Sequence, residues 1–124
     1  MLEIVAATPD SRLSRWRIGS YVPPSDYVVL LTRDHVMSVR WHIGRARGYP
    51  VPIGGLELGL DASGASKLAS VRREDRRRLL AVLVAGRLLA QTLLAKAVSD
   101  GKLTLVSTNP TATTGLLDST DLRR

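Results

Sequence analysis

The chain has 124 residues, a length that fits one domain built around a single core. Its formal net charge is +7, carried by 15 Arg and 3 Lys against 11 acidic residues, and it contains no Cys. The missing Cys excludes disulfides, thiolate nucleophiles and Cys-based zinc sites.

Two origins fit the preference for Arg over Lys. Arg grips phosphates and carboxylates with a planar fork of donors, and a GC-rich genome supplies Arg codons in any case. The positive field itself draws nucleic acid, an anionic membrane or an acidic protein. The opening Met1-Leu2-Glu3-Ile4-Val5 has no basic stretch followed by a long apolar run. It does not read as a secretory signal, and the expected location is cytoplasmic.

In chain order, residues 2 to 7 read as a strand stopped by Thr8-Pro9-Asp10. Residues 12 to 22 alternate weakly, with Leu13, Trp16 and Ile18 against Arg15 and Arg17. Pro23-Pro24-Ser25-Asp26 is a break, and Tyr27 to Leu31 is a β-branched and aromatic strand. From Val36 to Ile43 the apolar Met37, Val39, Trp41 and Ile43 alternate with Ser38, Arg40 and His42. A period of two marks a half-buried strand, since at helical spacing these groups would scatter round the cylinder. Thr32-Arg33-Asp34-His35 is then the turn of a hairpin joining the two strands. Residues 44 to 64 are rich in Gly and Pro and read as loop, with one short strand near Leu56 to Leu60.

A long helix is expected from Ser66 or Ser70 to about Ser99, stopped by Asp100-Gly101. Its first turns carry Arg72, Arg73, Arg76, Arg77 and Arg78. From Leu79 to Val98 it is apolar on nearly every side, which implies burial on most faces. Arg87 near its middle argues against a membrane span, so a homodimer through this helix is expected. Lys102 to Ser107 reads as a last strand, and residues 108 to 124 as a flexible tail beyond a domain of residues 1 to 107.

If the segments around Arg15 and Arg40 shared a sheet, Arg15, Arg17, Arg40 and His42 would lie on one face, with Arg45 and Arg47 extending it. Such a face could track a phosphate backbone, or it could be a solvated face whose charges discourage edge-to-edge pairing. The Arg run from Arg72 to Arg77 sits near the expected helix start, where the macrodipole disfavours cations. That unfavourable placement invites a purpose. The two histidines, His35 and His42, have no partner at metal-ligand spacing. No metal site and no cofactor is expected. Asp34-His35 is a weak acid-base pair, and neither a phosphate loop nor a nucleophile turn occurs.

The sequence therefore predicts an α+β fold: an antiparallel sheet of about four to six strands with one long C-terminal helix packed on it. The expected function is non-enzymatic binding of nucleic acid through its backbone, at Arg15, Arg17, Arg40, His42, Arg45, Arg47, Arg72, Arg73, Arg76 and Arg77. The alternative is an adaptor or inhibitor that docks an acidic protein partner and dimerises through the apolar helix.

Overall fold

The structure, a computed structural model, describes residues 2–8, 16–45, 47–48, 50–74, 78–94, 98–99 and 101–119. The strands are β1 (Leu2–Ala7), β2 (Tyr27–Thr32), β3 (Val36–Gly44), β4 (Ile53–Leu60), β5 (Leu79–Val84), β6 (Arg87–Leu93), β7 (Val98–Ser99) and β8 (Lys102–Ser107). Two helices, α1 (Ala62–Glu74) and α2 (Pro110–Asp118), accompany them. Seven strands run in the order β2-β1-β5-β6-β8-β4-β3, with the short β7 added to β8. Every pairing is antiparallel. The expected fold of four to six strands under one long helix is thus corrected: the described residues are mostly sheet, with the two short helices α1 and α2.

The largest correction concerns residues 79 to 98. The apolar stretch read as a helix is β5 and β6, joined at Ala85-Gly86. Both turn residues have positive φ, 52° and 80°, the backbone of a two-residue hairpin turn whose twist matches its strands. β5 lies in the middle of the sheet and is buried on both sides, from Leu80 to Val84. A strand covered on both faces loses its alternation and reads as a continuous apolar run. The helix through which a dimer was expected is replaced, from Leu79 to Leu93, by β5 and β6, and Leu80 to Val84 and Leu88 to Ala90 are buried in the protein's own core.

Shortening the helix also reverses the argument from charge. α1 begins after Asp61, whose Oδ1 accepts the Gly64 N–H at 2.7 Å, and ends at Glu74. Arg72 and Arg73 therefore occupy its last turn, where the macrodipole favours cations. Their placement needs no functional explanation.

The strands β1, β2, β3 and β8 fall where the sequence puts them, but the expected β2–β3 hairpin does not form. β2 pairs with β1 and β3 with β4, at opposite ends of the sheet. The turn Arg33–His35 still joins them, so the two ends of the sheet meet at that corner. β4 is longer than expected, eight residues from Ile53, because its glycines serve its neighbour. The Trp41 indole of β3 occupies the space that a Cβ on Gly54 would need.

Both helices pack on one face of the sheet. There Leu68 and Leu117 join Ile4, Leu56, Leu58, Leu80, Val82, Leu89, Leu103 and Leu105 in the main core. Residues 110 to 118, which the composition places in a tail, form α2. Asn109 caps it by accepting the Ala112 N–H, and Pro110 occupies its first turn. A buried chain of hydroxyls fixes α2 to the sheet. The Asn109 N–H donates to Ser107 Oγ at 3.2 Å, and Thr113 Oγ1 donates to the Leu89 carbonyl at 2.7 Å. Since Thr113 has one hydroxyl proton, the 2.6 Å contact between the two side chains has Ser107 as donor.

Candidate functional site

The second face of the sheet is where the expected site residues can be judged. Directly opposed residues of antiparallel strands share a face. The registers therefore define one row across six strands: Val5, Ala81, Gln91, Val106, Gly55 and His42. Burial falls along it. Val5 and Ala81 are fully buried, Val106 is 36% exposed, and His42 is exposed.

At the buried end, Trp16 and Val22 lie over Val5, Ala7, Ala81, Leu83 and Leu88 and form a second, smaller core. The segment that carries them is held by backbone bonds from Gly19 N to Leu88 O, Leu88 N to Ser20 O and Val22 N to Gly86 O. Apart from a single bridge from Tyr21 to Arg87, it is not a strand. Arg17 lies exposed on this cover, so it does not share a strand face with Arg40 as the sequence reading required.

At the other end β3, β4 and β8 are bare. Arg40 and His42 stand opposite Glu57 and Gly55, on the side away from Trp41, as the alternation of β3 implies. Trp41 turns to the helix side, where its Nε1 donates to Thr114 Oγ1 at 3.0 Å. Because Gly55 has no side chain, a shallow groove opens there, lined by His42, Arg45, Ile53, Thr104 and Val106. Glu57 is paired with Lys102 at 3.4 Å across to β8. Both groups are partly solvated, so the pair contributes little stability.

Arg45 and Arg47 follow in the β3–β4 connection and are exposed, as is Arg73, while Arg72 is partly covered. Arg15, Arg76 and Arg77 lie outside the described residues. The structure thus gathers Arg40, His42, Arg45 and Arg47 on one hairpin. Arg72 and Arg73 sit on α1, whose packing contacts belong to the opposite face.

One interaction was missed in the sequence. His35 pairs with Asp61, not with its neighbour Asp34: Nδ1 lies 3.1 Å from Asp61 Oδ1. The same carboxylate caps α1, and the Asp61 N–H donates to the His35 carbonyl. The Gly64 N–H, and after it the His35 side chain, hold the Asp61 carboxyl below its ordinary pKa. Together they clamp the corner between β2 and β3 onto the start of α1. Asp61 three residues before Gly64 is a capping signal, but the flanking Gly and Ser made it read as loop. Among the described residues, no group of three or more His, Asp or Glu could hold a metal.

The architecture defines a class: an antiparallel sheet with the helices α1 and α2 packed on one face. No family model matches the chain, and no curated protein matches it. Solved structures do. The chain is similar to SecDF in a crystal structure of its super-membrane-facing form, with 17% identity over 84% of this chain and a TM-score of 0.59. A second match is to SecDF described as a membrane component that enhances protein export, with 17% identity over 98% of this chain and a TM-score of 0.60. The chain spans 16% of the first of those chains and 63% of the second.

At this identity the likeness establishes the fold. It also redirects the functional expectations. The nucleic-acid and adaptor readings find no support, since the solved structures that share the fold are export components. The cytoplasmic expectation is corrected in the same way, because SecDF is a membrane component. Among the described residues, no helix is long and apolar enough to cross a membrane.

Proposed function

We propose that this chain serves protein export at a membrane, as one domain of a membrane-associated component. The likeness to SecDF over 98% of the chain carries this reading. The open sheet is compatible with it. Among the described residues, each end of the strand order is a strand with one neighbour, and an unpaired edge can accept an extended segment of another chain.

The test is made in the source cells. The domain is deleted from its gene, and export of a secreted reporter is followed by pulse-chase, alongside fractionation of the intact protein. Slower export, with the intact protein in the membrane fraction, is the expected result. An unchanged export rate, or recovery of the protein in the cytosol, overturns the proposal.

A further inference from the structure

The β3–β4 hairpin joins basic residues to exposed apolar ones. From Val36 to Leu56 there is no Asp or Glu, whereas Arg40, Arg45, Arg47 and His42 all fall within it. Arg40, Arg45 and Arg47 are exposed, and none has an ion-pair partner among the described residues. Exposed apolar side chains accompany them: Ile43 is 52% and Val51 is 56% exposed. The register brings these together. Gly44 pairs with Ile53, so Ile43, Arg45, Arg47 and Val51 all belong to the same end of the hairpin.

Unpaired cations beside exposed aliphatic groups are the chemistry of a surface that meets a charged bilayer. The guanidinium groups take the headgroup phosphates, and the aliphatic side chains enter the boundary beneath them. A purely solvated loop has no use for the aliphatic part. A site for a wholly hydrophilic polyanion has none either. We propose that the hairpin end formed by Ile43, Arg45, Arg47 and Val51 docks on an anionic lipid surface. This rests on the membrane location proposed above.

The experiment is co-sedimentation of the full chain with vesicles of phosphatidylcholine alone, or mixed with phosphatidylglycerol, at physiological ionic strength. Binding to the mixed vesicles only is expected. The Arg45→Glu/Arg47→Glu variant is expected to bind at least about 30-fold more weakly, since each lost cation is worth a factor of about five near an anionic surface and the two added carboxylates are repelled by it. Arg17→Glu/Arg73→Glu makes the same change of charge on other surfaces and is expected to keep most of the binding. Val51→Asp is expected to weaken it without altering the net +7 by more than one charge. Circular dichroism checks that every variant retains its sheet.

Three outcomes overturn the proposal: no binding to mixed vesicles, equal binding to neutral ones, or equal loss in both Arg double variants. Binding of polyglutamate through Arg45 and Arg47, with vesicles left unbound, also overturns it and makes the partner an acidic polypeptide. Each result is read on purified protein. A failure here with slowed export in the deletion strain leaves the export reading standing, and the reverse is equally distinguishable.

Discussion

The two halves of the second sheet face share the same strands' registers but differ in what covers them. Over β1, β5 and β6 the sheet presents Val5, Ala81, Leu83 and Leu88, and Trp16 with Val22 closes over them. Over β4 and β8 it presents Gly55, Glu57, Lys102 and Thr104, and no described segment forms a core there. The difference lies in the side chains, since strand geometry is common to both. Where a row of residues offers apolar area, burying it stabilises the fold by about 25 cal/mol per Å² and a connecting loop is drawn in. Where the row offers charge and glycine, no such gain exists, and no described segment covers the face.

Substitutions can break this contrast. The largest effect is expected in the covered half: Leu88→Ala should destabilise by about 2–5 kcal/mol and Trp16→Ala by about 3–5 kcal/mol. Arg40→Ala in the bare half should stay within about 0.5 kcal/mol. Urea denaturation of the three variants checks this. If Arg40→Ala cost as much as Leu88→Ala, the bare half would not be bare.

A second contrast sharpens the first within one strand. Gly54 and Gly55 are adjacent but face opposite sides of β4. A Cβ at Gly54 collides with the packed Trp41 indole, whereas at Gly55 it meets the His42 ring at 3.0 Å. That ring is the exposed end of a side chain that can swing away. Gly54→Ala is therefore expected to cost about 1–3 kcal/mol as overpacking, and Gly55→Ala much less. Trp41 fluorescence should shift in the first variant and stay unchanged in the second.

On the helix side, Thr113→Val keeps the shape but removes the hydroxyl between Ser107 and the Leu89 carbonyl. A loss of about 1–3 kcal/mol is expected from the groups left unpaired, measured as a lower midpoint of thermal unfolding.

The smallest effect concerns pH. The folded protein holds the Asp61 carboxyl below its ordinary value of 3.8. Its contribution is therefore present above that value and is lost as pH falls through the lowered folded value. Asp61→Asn retains an acceptor for the Gly64 N–H but has no charge to lose. Its unfolding midpoint should fall less steeply on acidification than that of the parent protein, as a series of urea titrations from neutral to acid pH would show.

How much of this was legible depended on how many faces of an element are buried. β3 was readable because one of its sides is solvated, which left the alternation of Arg40 and His42 with Trp41 intact. β5 was not, because Leu80 to Val84 are covered from both sides and the period of two vanished. Ala85-Gly86 was the available signal for a hairpin, but Ala is a weak turn former next to the usual Asn or Asp. Leu and Ala also favour helices locally, so tertiary burial overrode propensity. The residues of the bare face were identified from β3 alone, and Arg17 was misassigned because its segment is a cover without strand pairing. His35 and Asp61 lie 26 residues apart, a contact that no local pattern encodes.

The strand order has a consequence for how the protein comes into being. β1 lies between β2 and β5, so it gains its second neighbour only when Leu80 to Val84 have emerged. The central ladder then waits further for β8, which joins β6 on one side and β4 on the other. Pairings so distant in sequence make folding slow compared with local hairpins. Until Ser107 is available, a nascent chain holds two separate sheet pieces, β2-β1-β5-β6 and β4-β3, whose free edges invite wrong partners. The two sheet pieces of the early chain are therefore joined into one only by the late strand β8.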